Sequence, residues 1–162
     1  MLFRSHAPTR ELAQAFAPPL ALHANHRDGS LRAAAAARGI RVVLFEGGEA
    51  HRFDERAIGE GLDGALRVLG HLQMIDDAPP APRRDTVMSR RSRWVRAGRS
   101  GFCQLELDLG TRVDKGDVIA YIADGSSAKR VAVRAPVSGI IIGALQTAMV
   151  HRGDAIANLA EG

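Results

Sequence analysis

The sequence predicts an α/β part followed by a small all-β part. Three observations carry this. Up to about residue 75, helix-period segments alternate with strand-like runs. A proline-rich stretch, DDAPPAPRRD, then interrupts the chain at residues 76–85. Beyond it come short apolar runs separated by Gly turns, and this pattern occurs twice. The expected boundaries are 1–75 for the α/β part, 76–87 for a linker and 88–162 for the β part.

In the first part, Thr9 is placed to cap a helix carrying Glu11 to Phe16, which Pro18 and Pro19 end. Leu20 to His23 suits a short strand. Gly29 and Ser30 open an Ala-rich helix from Leu31 to Arg38, closed by Gly39. Ile40 to Phe45 (IRVVLF) is a β-branched apolar run, the pattern of a parallel strand buried on both faces. Glu46 lies at its C-terminal end. Asp54 caps a third helix, whose apolar face is expected to be Ile58, Leu62, Ala65, Leu66 and Leu69.

The second part holds an internal repeat. Ser100-Gly101 leads to GDVIAYI at 116–122, and Ser138-Gly139 leads to GDAIANL at 153–159, an offset of about 37 residues. Two copies are too few for a solenoid and suit a small pseudo-twofold β-domain. Each SG reads as a tight turn into a strand, and each GD as a turn that starts the next one. The stretch, RAPVSGIII at 134–142 above all, resembles the barrel-sandwich hybrid of lipoyl and biotinyl domains. Cofactor carriage does not follow from that resemblance. The hairpin that would present a modified Lys reads ADGSSAKR. Its tip is Gly125, Ser126 and Ser127, and Lys129 lies beyond it without acidic or Met flanks.

Composition narrows the classes. The 162 residues are 46% hydrophobic and 25% charged, a globular balance. No apolar run reaches the ~18 residues of a membrane span, so no membrane partner is expected. The first residues contain no continuous apolar core of a secretory signal. Cys103 is the one cysteine, so no internal disulfide can form, which fits a reducing cytoplasm. It lies in the apolar-alternating FCQLEL run and reads as core rather than nucleophile. The net charge is +4 and the pI about 10.2, with Lys115 and Lys129 the only lysines. The densest basic cluster, Arg90, Arg91, Arg93, Arg96 and Arg99 around Trp94, suits a solvated or subunit-facing surface better than a nucleic-acid site.

The chemistry concentrates at residues 38–58. A carboxylate at the end of a buried strand sits where α/β sheets place active sites. Gly47 and Gly48 would then allow a sharp turn and leave room for a substrate. From the residues alone, Glu46 is either a general acid/base or a turn carboxylate. His51, five residues on, is placed to line a pocket. Arg32 is either a planar fork for a substrate carboxylate or a solvent-facing helix residue. His23 and His26 with Glu46, Glu49 or His51 could form a zinc site, but H-x-x-H in a loop without a cysteine partner fits surface histidines better.

Residues 29–75, GSLRAAAAARGIRVVLFEGGEAHRFDERAIGEGLDGALRVLGHLQMI, resemble a segment of the succinylglutamate desuccinylase/aspartoacylase family. It runs from a GSLR turn through helix and strand to E-G-G, then through an FDE-started helix to L-x-x-L-G-x-L. The β part, with GTRVDKGDVIA and RAPVSGIII, resembles the family's C-terminal domain. Together these cover about three quarters of the chain. The resemblance implies a zinc carboxypeptidase-like fold and a deacylase. In such an enzyme a zinc-bound water attacks the acyl carbonyl of a small N-acyl amino acid. Glu46 matches the carboxylate that takes the water proton and passes it to the leaving amine, and Arg32 and His51 become substrate-binding candidates. The family's zinc ligands, an H-x-x-E pair and a later His, lie upstream of this stretch, and no H-x-x-E occurs here. No metal ligand is therefore assigned. The chain alone is expected to be a truncated, inactive portion of a zinc enzyme. The alternative is a non-catalytic binding or oligomerisation module, with homo-oligomer formation left open.

Met1 to Ser5, M-L-F-R-S, is what a common sequencing-adapter end, GTGCTCTTCCGATCT, encodes from a GTG start. Residues 1–5 are accordingly expected to be non-native, the alternative being a genuine start or a start misplaced within the gene; on either reading the first strands of the α/β sheet are expected to be missing and its edge exposed.

Overall fold

A computed structural model describes residues 1–4, 7–126 and 129–161, with nothing stated of the Ala7 side chain. Ser5, of the adapter-like start, and Ser127, of the hairpin tip, lie outside the described residues. The architecture is mixed α/β: a parallel sheet with helices, then two antiparallel sheets. The chain forms two compact units, Met1–Ser89 and Arg90–Gly162.

The first unit has a three-stranded parallel sheet in the order β1-β2-β3, made of β1 (Leu2–Phe3), β2 (Leu20–His23) and β3 (Val87–Ser89). The adapter-like residues therefore fill a place in the sheet. Leu2 pairs with Leu22, and Phe3 is buried with Ala13 and Ala21. An apolar extended segment beside the open edge of β2 satisfies both the ladder and the small core. Val87–Ser89 joins the same sheet, so residues 88 and 89, expected in the β part, belong to this unit.

Helix α1 (Ala7–Phe16) connects β1 to β2 and begins before the expected cap. Thr9 lies inside it, buried, and its hydroxyl donates to the Arg4 carbonyl. The helix ends at Ala17, which takes a left-handed conformation (φ 56) ahead of the two prolines. Arg67 Nε and Nη2 donate to the last helical carbonyl, Phe16 O, at 3.1 and 2.9 Å. Helix α2 (Leu31–Ala36) stops two residues short of the expected Arg38. The Ser30 hydroxyl accepts from the Ala33 N–H at 3.2 Å, as a cap should. Gly39, at φ 72, lets the Ile40 N–H return to Ala35 O at 3.0 Å and close the end.

The expected buried strand at Ile40 to Phe45 does not form. Among the described residues the segment makes one antiparallel bridge, Leu2 to Leu44, and Ile40 is 56% exposed. A parallel strand buried on both faces needs a ladder along its length and helices over it. Here the two-residue β1 offers a partner at one position only.

Helix α3 (Glu55–His71) starts as expected, with Asp54 Oδ1 accepting from the Ala57 N–H at 3.0 Å. Its packed face is the expected one only in part, with Leu66 and Leu69 half-buried. Ile58 and Leu62 are 48% and 59% exposed, Ala65 is exposed, and the buried position is Gly64. A Cβ at Gly64 would run into the Phe16 ring, and one at Gly61 would come within 3.0 Å of the Phe45 ring. Two bare positions on one side of the helix thus seat a stacked pair, Phe16 and Phe45, with centroids 5.2 Å apart. Each helical glycine costs about 1 kcal/mol relative to Ala, and burying aromatic surface of this size outweighs that. The proline-rich stretch also packs on α3: Ala78 lies against Gly70, and Arg84 pairs with Glu60 at 3.2 Å.

The second unit contains eight strands: β4 (Ser92–Arg96), β5 (Gly101–Leu105), β6 (Arg112–Val113), β7 (Val118–Ala123), β8 (Arg130–Arg134), β9 (Gly139–Ala144), β10 (Met149–Val150) and β11 (Ala155–Glu161). They form two antiparallel sheets, β10-β5-β7-β8 and β4-β11-β9-β6. If β4–β7 is one copy of the repeat and β8–β11 the other, each sheet keeps two central strands of one copy and takes both edge strands from the other. The hydrogen bonds repeat too. Asp117 Oδ2 accepts from the Asp114 N–H at 2.8 Å, as Asp154 Oδ2 does from the His151 N–H at 2.7 Å. Ser138 Oγ accepts from Lys115 N–H at 2.9 Å and Ser100 Oγ from Arg152 N–H at 3.0 Å, so each SG turn holds the GD turn of the other copy. Ile119, Ile122, Ile141, Ile156, Leu159 and Val150 are fully buried between the sheets.

Candidate functional site

The stretch singled out for chemistry surrounds a cavity of about 320 Å³ in the first unit. Phe45 and Ala57 form part of its apolar lining, with Ile58 and Leu62 from the exposed stripe of α3. Gly47 and Gly48 form one wall, for separate reasons. A Cβ at Gly47 would come within 2.8 Å of Phe45 Cζ, and Gly48 sits at φ 80. Three charged residues line the same cavity. Glu49 and Arg52 are paired at 3.7 Å, and Asp54 is the cap of α3.

The three predicted site residues lie outside this lining. Glu46 is exposed rather than partly buried, because the strand expected to bury it is absent. Its carboxylate acts on the Met1 ammonium. Burial lowers that amine's pKa from its ordinary value, and the Glu46 charge opposes the shift. The amine also donates to Leu20 O at 3.1 Å. His51 is exposed in a turn, with φ 64. Arg32 is partly buried in α2, and its Nη1 is a buried donor with no hydrogen-bond partner among the described residues. Buried polar atoms are almost always paired, so this nitrogen is open to an acceptor from outside the described residues. Composition could not have found it, since an Ala-rich helix gives no sign of which Arg turns inward.

A zinc ion does not fit what the described residues offer. Among the described residues no group of three or more His, Cys, Asp or Glu side chains is placed to hold a metal. His23 packs edge-on against Phe3, with ring centroids 6.4 Å apart. No helix among the described residues is long and apolar enough to cross a membrane.

No family model matches the chain, and no curated protein sequence does. Solved structures do match. A succinylglutamate desuccinylase/aspartoacylase from Rhodobacter sphaeroides is 24% identical with a TM-score of 0.85, over 99% of this chain and 52% of that one. The apo ectoine utilization protein EutE (DoeB) from Ruegeria pomeroyi is 21% identical with a TM-score of 0.85, over 99% and 54%. An aspartoacylase family protein from Mesorhizobium loti is 18% identical with a TM-score of 0.75, over 99% and 51%. The chain spans about half the length of the solved proteins it matches. It is a structural match, in fold, to a portion of the succinylglutamate desuccinylase/aspartoacylase family chain.

Proposed function

We propose that this chain is the C-terminal portion of a zinc-dependent deacylase that hydrolyses the amide bond of a small N-acyl amino acid or related compound. In this reading residues 1–89 are part of a zinc carboxypeptidase-like domain, with the proline-rich stretch leading from α3 to β3, and 90–162 are a barrel-sandwich hybrid. One observation carries it: 99% of the chain superimposes on about half of such proteins. EutE has been solved with product bound, which supports a small substrate here.

Zinc belongs to the whole enzyme in this proposal, held by residues this chain lacks, and no step is derived through it. The chain contributes groups around the reaction. Glu46 is the proton carrier, taking a proton from the attacking water and delivering it to the departing amine. Its exposure and the bare backbone of Gly47-Gly48 beside it support access to such a substrate. Arg32 supplies anion binding. A substrate carboxylate would satisfy the unpartnered Nη1 with a charge-assisted bond. His51, exposed in the next turn, is a second contact. The single cysteine supports a cytoplasmic location.

A second reading, a non-catalytic binding or assembly module, is favoured by the exposed apolar residues Phe53, Ile58 and Leu62 around the cavity. Genomic DNA read upstream of Met1 separates the two. An in-frame H-x-x-E and a later His, with zinc content and deacylase activity in the extended protein, supports the enzyme. Their absence leaves the module.

A further inference from the structure

The basic cluster around Trp94 has no part in the proposed deacylase chemistry. The second unit carries eleven Lys and Arg against seven Asp and Glu, so the whole +4 charge of the chain resides there. Four of those arginines, Arg93, Arg96, Arg99 and Arg134, line a groove of about 600 Å³. The groove runs between β4 and β8, the edge strands that end the two sheets on one side. Val95 and Ile122 line it as buried apolar residues. Trp94, 53% exposed, and Val131, 40% exposed, line it from the two edges.

We propose that this groove binds an acidic polypeptide segment in extended form, pairing as an added strand on one of the two edges. Among the described residues each edge strand is hydrogen-bonded to one neighbour, and an unpaired strand edge is a template for another chain. Charge complementarity sets the kind of segment. Arg93 and Arg99 are paired with Glu161 at 3.4 Å and Asp124 at 3.1 Å. Among the described residues Arg96 and Arg134 donate to the carbonyls of Gly153 and Gly116, at 2.8 and 2.9 Å, and neither is paired with a carboxylate. These two arginines occupy equivalent places in the repeat, each holding the turn glycine before a central strand. They therefore present two positive charges on opposite edges of one groove.

Edge arginines also protect sheets from unwanted pairing. Protection accounts for the charges but not for an exposed Trp and an exposed Val on the same two edges, which invite contact. A nucleic acid is the poorer match. Among the described residues Trp94 is the one aromatic lining the groove for stacking, and a sugar–phosphate backbone cannot continue a strand ladder.

Trp94 is the only tryptophan, so its fluorescence reports the groove directly. The full chain is titrated with a capped octapeptide alternating Glu and Val. Controls are the Lys/Val counterpart, the Glu/Val peptide N-methylated at alternate residues, and a short oligothymidylate. A saturable change in emission is expected for Glu/Val, at least about tenfold tighter than for the Lys/Val or N-methylated peptides. Val131→Glu places a repelling charge on the wall and should weaken binding at least about tenfold, with thermal unfolding unchanged. The double variant Arg96→Lys/Arg134→Lys keeps charge and should retain binding within a few-fold, whereas Arg96→Gln/Arg134→Gln should lose it. No saturable change, equal binding of Lys/Val, normal binding by folded Val131→Glu, or tighter binding of oligothymidylate would each overturn the proposal.

Discussion

Cys103 is half-buried in β5, packed on the cluster of Ala120, Ile122, Val150 and Ile156. Burial raises its pKa above the ordinary value, because the thiolate loses solvation there. The thiol is therefore kept protonated at neutral pH. Alkylation by iodoacetamide should be slower than for a free cysteine and should rise only as pH climbs past the free-thiol range, with the difference vanishing in denaturant. Equal rates for native and denatured protein at pH 7 would contradict this. The linkage has one sign. A thiol whose folded pKa is raised contributes stability below its unfolded pKa, and that contribution is lost as pH rises through the folded one. Glu46 belongs at the same scale. In the extended enzyme Glu46→Gln keeps shape but removes the proton acceptor, and turnover should fall by on the order of 10²-fold. Zinc content and substrate affinity should change little, and Glu49→Gln should matter much less. Glu49 does line the cavity, paired with Arg52, so steady-state kinetics on both variants decides which carboxylate acts.

Helix α3 shows what periodicity conveys and what it omits. Its start was legible, because Asp54 is a cap by chemistry and needs no partner outside the helix. Its packed face was legible only in part. Ile58, Leu62 and Ala65 form an apolar stripe in sequence, yet the helix packs through the neighbouring stripe of Gly61 and Gly64, where bare backbone admits the Phe16 and Phe45 rings. An apolar count credits side chains and cannot credit a hole. The strand expected at 40–45 failed for a related reason: β-propensity describes a segment, but a strand is a relation between segments. The repeat was legible because both copies are local turn chemistry, and the same Asp and Ser bonds recur in each. The packing of α3 can be tested with two glycines. Gly64→Ala drives a methyl into the Phe16 ring and should destabilise by about 1–3 kcal/mol despite better helix propensity. Gly59→Ala meets nothing within 4 Å and should stabilise by up to about 1 kcal/mol. Urea midpoints followed by helical circular dichroism give both values. Stabilisation by both substitutions would mean that Phe16 does not pack against α3.

At the scale of the whole molecule both units leave large apolar residues more than half exposed, Trp94, Phe102, Leu109 and Met149 in the second, but they differ in the size of their buried clusters. In the second, the buried Ile, Leu and Val residues come from both sheets, and the two copies of the repeat exchange edge strands. Neither copy could close its core alone, but together they do. In the first, the buried cluster is Phe3, Ala13 and Ala21, while Leu31, Ile40, Phe53, Leu62 and Met74 are each more than half exposed. About half of each matched protein has no counterpart in this chain, and on the proposed deacylase reading that part covers these residues. Residues 90–162, expressed alone, should therefore unfold in one cooperative thermal transition and keep a Trp94 emission close to that in the full chain. Residues 1–89 alone should bind a hydrophobic dye such as anilinonaphthalene sulfonate and melt broadly at a lower temperature. Supplying the upstream half in the same polypeptide should suppress dye binding and sharpen the transition. A dye-free, cooperatively melting fragment 1–89 would show that its exposed residues need no cover. That result would favour a self-sufficient module over a portion of a larger enzyme.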